Sequence, residues 1–326
     1  MTKYGDISPA VAGVQAAELL TRAIPYLIFE KFGQTKPLPS NSTSTMIFRR
    51  YNALSNVPVA LAEGVTPAGK QLTKTDVSVE IKQYGDFIEL TDVVQDLHTD
   101  PVLQETQAIL GEQAGQMLEK VRYNVLKAGT SVFYANGATR AAVNTKITTA
   151  LQRKVTKTLK RQSAKPITTV LRSTPAYETR NVKASYIAIG HTDIENDVRD
   201  MAGFKAVETY GSLSPYENEV GAVEDCRYLT STLCDPFADA GGAAGGTMQS
   251  TSGTNCDVFP VIYLGKDAWA CVPLKGKAAI TPTIVNPKPV QGDPLGQRGS
   301  AGWKAYHACV ILNDAWMSRG EIAVTN

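Results

Sequence analysis

DPLGQRGSAGWKAYHACVILNDAWMSRGEI, residues 293–322, opens with Asp293-Pro294 and three closely spaced glycines and then turns densely apolar. Chain termini are usually the loosely held part of a domain. An apolar run placed this late therefore reads as a core strand that returns to close a domain begun much earlier. Its residues alternate: Trp303, Ala305, His307, Cys309 and Ile311 share one side, while Lys304, Tyr306, Ala308, Val310 and Leu312 share the other. Period two is the mark of a strand. Both sides become apolar towards the end, which fits a strand held between the rest of a sheet and a helix.

The helix to set against it is TDPVLQETQAILGEQAGQMLEKVRYNVLKAG, residues 99–129. Thr99 or Asp100 can cap it, Pro101 suits the first turn, and Glu105 puts a carboxylate near the positive end. Leu103, Gln107, Leu110, Ala114, Met117, Val121 and Leu126 trace a stripe that is apolar except at Gln107, and Gly129 supplies the stop. At 1.5 Å per residue this is a rod of about 40 Å, long enough to be the backbone of the molecule.

Ahead of it the texture is looser. Residues 1–45 read as an arm, with a short amphipathic stretch from Ala17 to Phe32 interrupted by Pro25, then the linker-like KPLPSNSTST. Such a segment rarely folds alone and is expected to lie across something else, such as a neighbouring subunit. MIFRRYNAL reads as a strand, VPVALAEG as a second short one, and AEGVTPAGKQLTKT as a turn and loop. In LTKTDVSVEIKQYG, Val77, Val79 and Ile81 alternate with Asp76, Ser78, Glu80 and Lys82, giving a strand with one wet face. Together these predict a long hairpin with little core of its own, reaching for a partner.

The chain has 326 residues with 33 basic and 31 acidic side chains, enough length for two packed cores or one core with extensions. Its net charge of +2 hides an asymmetry. From Arg140 to Lys183 there are eleven basic residues against Glu178 alone, so the remainder carries −8. Within that belt, TTALQRKVTKTLKRQSAKP, residues 148–166, puts Leu151, Val155 and Leu159 on one helical face and Arg153, Lys154, Lys157, Lys160 and Arg161 around the rest. Those five cations are the candidate phosphate contacts, or alternatively a solvated face or a dock for an acidic patch on another copy. The helix carries no aromatic stacking platform, which argues against specific single-strand recognition.

Signatures of catalysis are weak. GGAAGG at 241–246 is followed by no Lys-Ser/Thr pair and opens no periodic helix, so it reads as part of an exposed, mobile loop. There is no GxSxG and no HExxH. His191 with Asp193, Glu195 and Asp197 reads as a helix start, and His307 as a satisfied core or interface histidine. Five cysteines (Cys226, Cys234, Cys256, Cys271 and Cys309) with no CxxC read as free buried thiols. A zinc site would have to join one of the three histidines to thiols from distant loops. No metal or cofactor is expected, and neither a signal peptide nor a membrane span is visible, as for a soluble protein made in a cytoplasm.

The order of elements resembles the major capsid proteins of tailed bacteriophages, the Hong Kong 97-type shell fold. YIAIGHTDIENDVRDMAGFKAVETYG at 186–211, EVGAVEDCRYLTST at 219–232 and the 293–322 block look like the signature strings of a podophage major capsid branch. The resemblance implies an α+β fold with an N-terminal arm (1–45), an extended loop (46–90), a peripheral domain with the spine helix (91–180), an axial domain (181–285) and a C-terminal return (286–326). It further implies pentamers and hexamers in an icosahedral shell around double-stranded DNA. Scaffolding, portal and decoration proteins would be its partners, with assembly in a bacterial cytoplasm and no catalytic residue. The alternatives are a shell compartment for protein cargo and a DNA-binding module built on the 148–166 helix.

Overall fold

A computed structural model describes residues 27–326 except 59, 61–62, 65, 67–68, 93–101, 176–178, 212–214, 277–279 and 290–291, with backbone alone at 102–105. The block at 293–322 folds as two strands, β13 (Arg298–Ile311) and β14 (Met317–Ile322), which part company at the turn Asp314–Trp316. β13 is the hub of one sheet. It runs antiparallel to β4 (Lys82–Thr91) over 298–307, to β12 (Thr281–Val285) over 300–304 and to β11 (Trp269–Pro273) over 307–311. A short β1 (Gln34–Thr35) adds in parallel to β11.

The alternation along β13 sorts its residues as the pattern predicts. Ala301, Trp303 and Ala305 pack with Leu110, Ala114 and Leu118 of α1 (Val102–Lys127). On the opposite face, Ala308 packs with Phe48 of β2 (Thr45–Tyr51), alongside Leu38, Ala270 and Val272. β2 and β3 (Lys74–Glu80) form the expected antiparallel hairpin, register Thr45↔Glu80 to Tyr51↔Lys74. The strand is thus covered by the helix on one face and by the root of the hairpin on the other. The described residues of VPVALAEG, predicted as a further strand, are irregular.

β14 joins a second sheet of seven strands, ordered β5 (Val132–Tyr134), β14, β10 (Phe259–Leu264), β6 (Tyr186–Gly190), β9 (Cys226–Thr230), β8 (Glu219–Val223), β7 (Phe204–Ala206). Its inner strands are buried on both faces, which is why YIAIG and FPVIYL are almost unbroken apolar runs. Tyr186, Ala188, Val261 and Tyr263 meet Leu151, Val155 and Leu159 of α2 (Thr149–Arg161) and Val198 of α3 (Glu195–Arg199). Ile187, Ile189, Ile262 and Leu264 face the other way, into a core shared with Tyr123 and Leu126 of α1 and Trp269 of β11. The two sheets therefore share one core. β5 and α2, within 91–180, pack on the seven-stranded sheet, whereas β11 and β12, within 181–285, pair in the sheet beneath α1.

Three expectations change. The end of the arm docks on its own chain: Ile28, Phe29, Phe32 and Leu38 are buried, and the amides of Ile28 and Phe29 each donate to Glu119 Oε1 at 2.7 Å. The earlier part of the Ala17–Phe32 stretch lies outside the described residues, as does the helix cap at Thr99 or Asp100. The buried face of α1 includes Leu118, Glu119, Arg122 and Tyr123, while Met117 and Val121 are only half-buried. The glycine-rich loop is folded in rather than simply exposed. Ala244 and Cys256 enter a small core with Val143, Val258 and Ala323, and a Cβ at Gly241 would strike the Val143 carbonyl oxygen. No described helix is long and apolar enough to cross a membrane.

Candidate nucleic-acid interface

Thr148 starts α2 by accepting a hydrogen bond from the Leu151 amide at 3.2 Å, as an N-cap threonine does. Leu151, Val155 and Leu159 recur every four residues and are buried on the seven-stranded sheet. Gln152 fixes the rotation further, donating to the Val223 carbonyl at 2.6 Å and accepting from the Tyr228 hydroxyl at 2.8 Å. With one face so anchored, Arg153, Lys154, Lys157, Lys160 and Arg161 are all exposed.

They are not equivalent. Arg153 Nε lies 3.0 Å from Glu224 Oε1, and Lys160 Nζ bonds Asp225. These two acids form the tight turn between β8 and β9, where Glu224 has φ +50°. Hydrogen bonding to Arg153 holds the Glu224 carboxyl below its ordinary pKa, and Asp225 raises that of Lys160. Lys154, Lys157 and Arg161 have no acidic partner among the described residues. Their i, i+3, i+7 spacing aligns them along one side of the helix. The rest of the basic belt divides similarly. Arg140 is held by Glu321 at 2.7 Å, Lys146 by Asp200 at 3.1 Å, and Lys183 stands 4.0 Å from Asp225. Lys165, Arg172 and Arg180 are exposed without an ion pair to a described residue. What the chain presents to solvent is a narrow cationic stripe, suited to phosphate oxygens and indifferent to base identity.

Charge counting could not have found Glu224 and Asp225 as partners, because they lie on a hairpin turn some seventy residues away from α2 and carry no local signal. The remaining candidates also resolve. His191 Nδ1 accepts from the Asp193 amide at 3.2 Å and caps a short turn, and His98 lies outside the described residues. All five cysteines are free and buried. Two of them meet, however. Cys271 of β11 and Cys309 of β13 are register partners with Sγ atoms 3.8 Å apart, and His307 Nε2 is 2.9 Å from Cys309 Sγ. The three come from adjacent strands, not distant loops.

Residues 74–319 match the family model described as "Phage capsid protein". The fold is similar to the capsid of Ralstonia phage GP4, at 13% identity and a TM-score of 0.68 over 90% of this chain and 87% of that one. It is similar to the cyanophage Pam1 capsid asymmetric unit, at 13% identity and 0.63 over 94% and 93%. It is also similar to the holo-SrpI encapsulin complex from Synechococcus elongatus PCC 7942, at 8% identity and 0.53 over 92% and 86%. No curated protein matches the sequence.

Proposed function

Because this chain belongs to the phage capsid protein family and has the Hong Kong 97-type α+β fold, a structural rather than catalytic protein, we propose that it is the major capsid protein of a tailed phage of the podophage branch. It assembles as pentamers and hexamers into an icosahedral shell around double-stranded DNA, in the bacterial cytoplasm, with scaffolding, portal and decoration proteins as partners. The observation that carries this reading is the family match from β3 into the first half of β14. Within it, the β2–β3 hairpin is the extended loop, α1 with the β13 sheet the peripheral domain, and the seven-stranded sheet with α2 the axial domain. The hairpin supports the assignment physically. Ile47 and Tyr51 project from it at 58% and 60% exposure, apolar surface that a neighbouring subunit would cover.

The decisive experiment is to express the chain alone and with its scaffolding protein, then measure assembly by analytical ultracentrifugation and negative-stain imaging. Five- and six-fold rings or closed shells carrying nuclease-protected DNA in the phage-infected cell support the proposal. Shells filled with a protein and free of DNA favour a cargo compartment instead, the reading that the encapsulin likeness keeps in play. A persistent small oligomer whose DNA binding collapses with salt favours a DNA-binding module on α2. For that contact, replacing Lys154, Lys157 and Arg161 with alanine should lower the slope of log binding constant against log salt by about 2–3, at about 0.9 per phosphate. An unchanged slope removes α2 from the DNA.

A further inference from the structure

We propose that Cys271, His307 and Cys309 form a binding site for a thiophilic divalent cation, zinc above all, which clamps β11 to β13. The three ligand atoms lie within 4.8 Å of one another and all three residues are buried. The backbone places them there. Cys271 O accepts from Lys36 N at 3.1 Å and Pro273 O from Leu38 N at 2.8 Å, so this side of β11 directs its polar groups towards β1. Towards β13, Cys271 and Cys309 are therefore a non-hydrogen-bonded pair, the kind in which facing Cα atoms come within about 4.5 Å and side chains stand closest. His307, two residues before Cys309, projects on the same face of β13.

The spacing suits a metal. Zinc–sulfur bonds of about 2.3 Å in a tetrahedron set the sulfurs about 3.8 Å apart, and the two Sγ atoms are 3.8 Å apart. The tetrahedral nitrogen–sulfur edge is about 3.6 Å, against 2.9 Å for His307 Nε2 to Cys309 Sγ, so the imidazole swings back slightly on binding. Two thiolates and a neutral imidazole favour zinc over calcium or magnesium, which prefer oxygen. Each thiol gives up its proton as the metal enters, and the two negative charges cancel the cation's. That neutrality is what a buried site requires. Arg122, whose charge reaches Cys271, is itself answered by Glu119 and Glu30. Among the described residues no fourth protein ligand joins the cluster, leaving one coordination position for water.

A disulfide between the same sulfurs is the competing fate, since the strand pairing also suits that bond, but it would give His307 no role. The test begins with the intact, unmodified chain purified without chelator. Elemental analysis should find about one zinc per chain, and X-ray absorption at the zinc edge should report two sulfur neighbours. After metal stripping, cobalt(II) should restore one equivalent with thiolate-to-cobalt absorption, and both Cys271→Ser and Cys309→Ser should lose that signal while Cys234→Ser keeps it. Zinc bound only by nitrogen and oxygen, a native chain that takes up neither metal, or a Cys271–Cys309 disulfide recovered by peptide mapping overturns the proposal. The absorption measurement uses no substitution, so a misfolded variant cannot rescue or sink it.

Discussion

Glu119 has no exposed surface, yet it organises the junction between α1 and the incoming arm. Its Oε1 accepts two amides, and its Oε2 pairs with Arg122, itself only 3% exposed. Burial pushes its carboxyl pKa up, with Arg122 and the two amides opposing that push. Glu119→Ala leaves a buried guanidinium half-answered and two amides without acceptor, so we expect a loss of about 3–5 kcal/mol in urea unfolding of dissociated subunits. Glu224 works in the opposite sense at the surface. Its pKa is depressed below 4.5, first by the hydrogen bond from Arg153. The folded state thus binds that proton less readily than the unfolded chain, and the stabilisation is complete above pH 4.5 and lost as pH falls through the depressed value. Glu224→Gln should flatten this part of the acid limb by losing that stabilisation above pH 4.5, so the two proteins differ modestly at neutral pH and converge in acid, measured by thermal melts from pH 3 to 7. Neither role can be read from sequence. A stripe of apolar residues marks the buried face of a helix, whereas a mutually neutralising Glu–Arg pair enters the same face unannounced.

At the scale of elements, periodicity carried most of the information. The two-residue alternation in β13 assigned its faces correctly, because one face meets α1 and the other the hairpin. The α2 face was readable for the same reason, since Leu151, Val155 and Leu159 pack on a single sheet. For α1 the reading was partial. The helix passes from the β13 sheet to the shared core, so its buried stripe rotates to Leu118 and Tyr123. The β2–β3 hairpin has little core of its own, with Phe48 its one buried apolar residue. Replacing Ile47 and Tyr51 together with lysine removes apolar surface without touching that anchor. We expect the melting temperature of the free subunit to stay within a few degrees and sedimentation to show subunits that no longer form closed shells. Wild-type shell yield from this variant would mean the exposed face is not an intersubunit contact.

For the molecule as a whole, the arm is where sequence and structure diverge most. Were the arm only a strap across a neighbouring subunit, a truncation lacking residues 1–40 would remain folded and merely fail to close shells. It would, however, remove Ile28, Phe29, Phe32 and Leu38, all buried in the two cores around Trp269 and Phe48. It should therefore unfold the subunit, whereas a cut after residue 26 keeps these anchors; circular dichroism and sedimentation of the two truncations separate folding from assembly. The amphipathic stretch ahead of the linker did not reveal that these residues plug a core of their own chain, because the cavity they fill is lined by residues from 123 to 317. The placement of β13 and β14 has one more consequence. Every strand these two pair with (β4, β11 and β12 for β13; β5 and β10 for β14) precedes them in the chain. A ribosome adding about 5–20 residues per second has thus made every other strand before either sheet can be completed. The nascent polypeptide is barred from its finished shape, and so from premature association with its neighbours on the same message, until translation has run past residue 322.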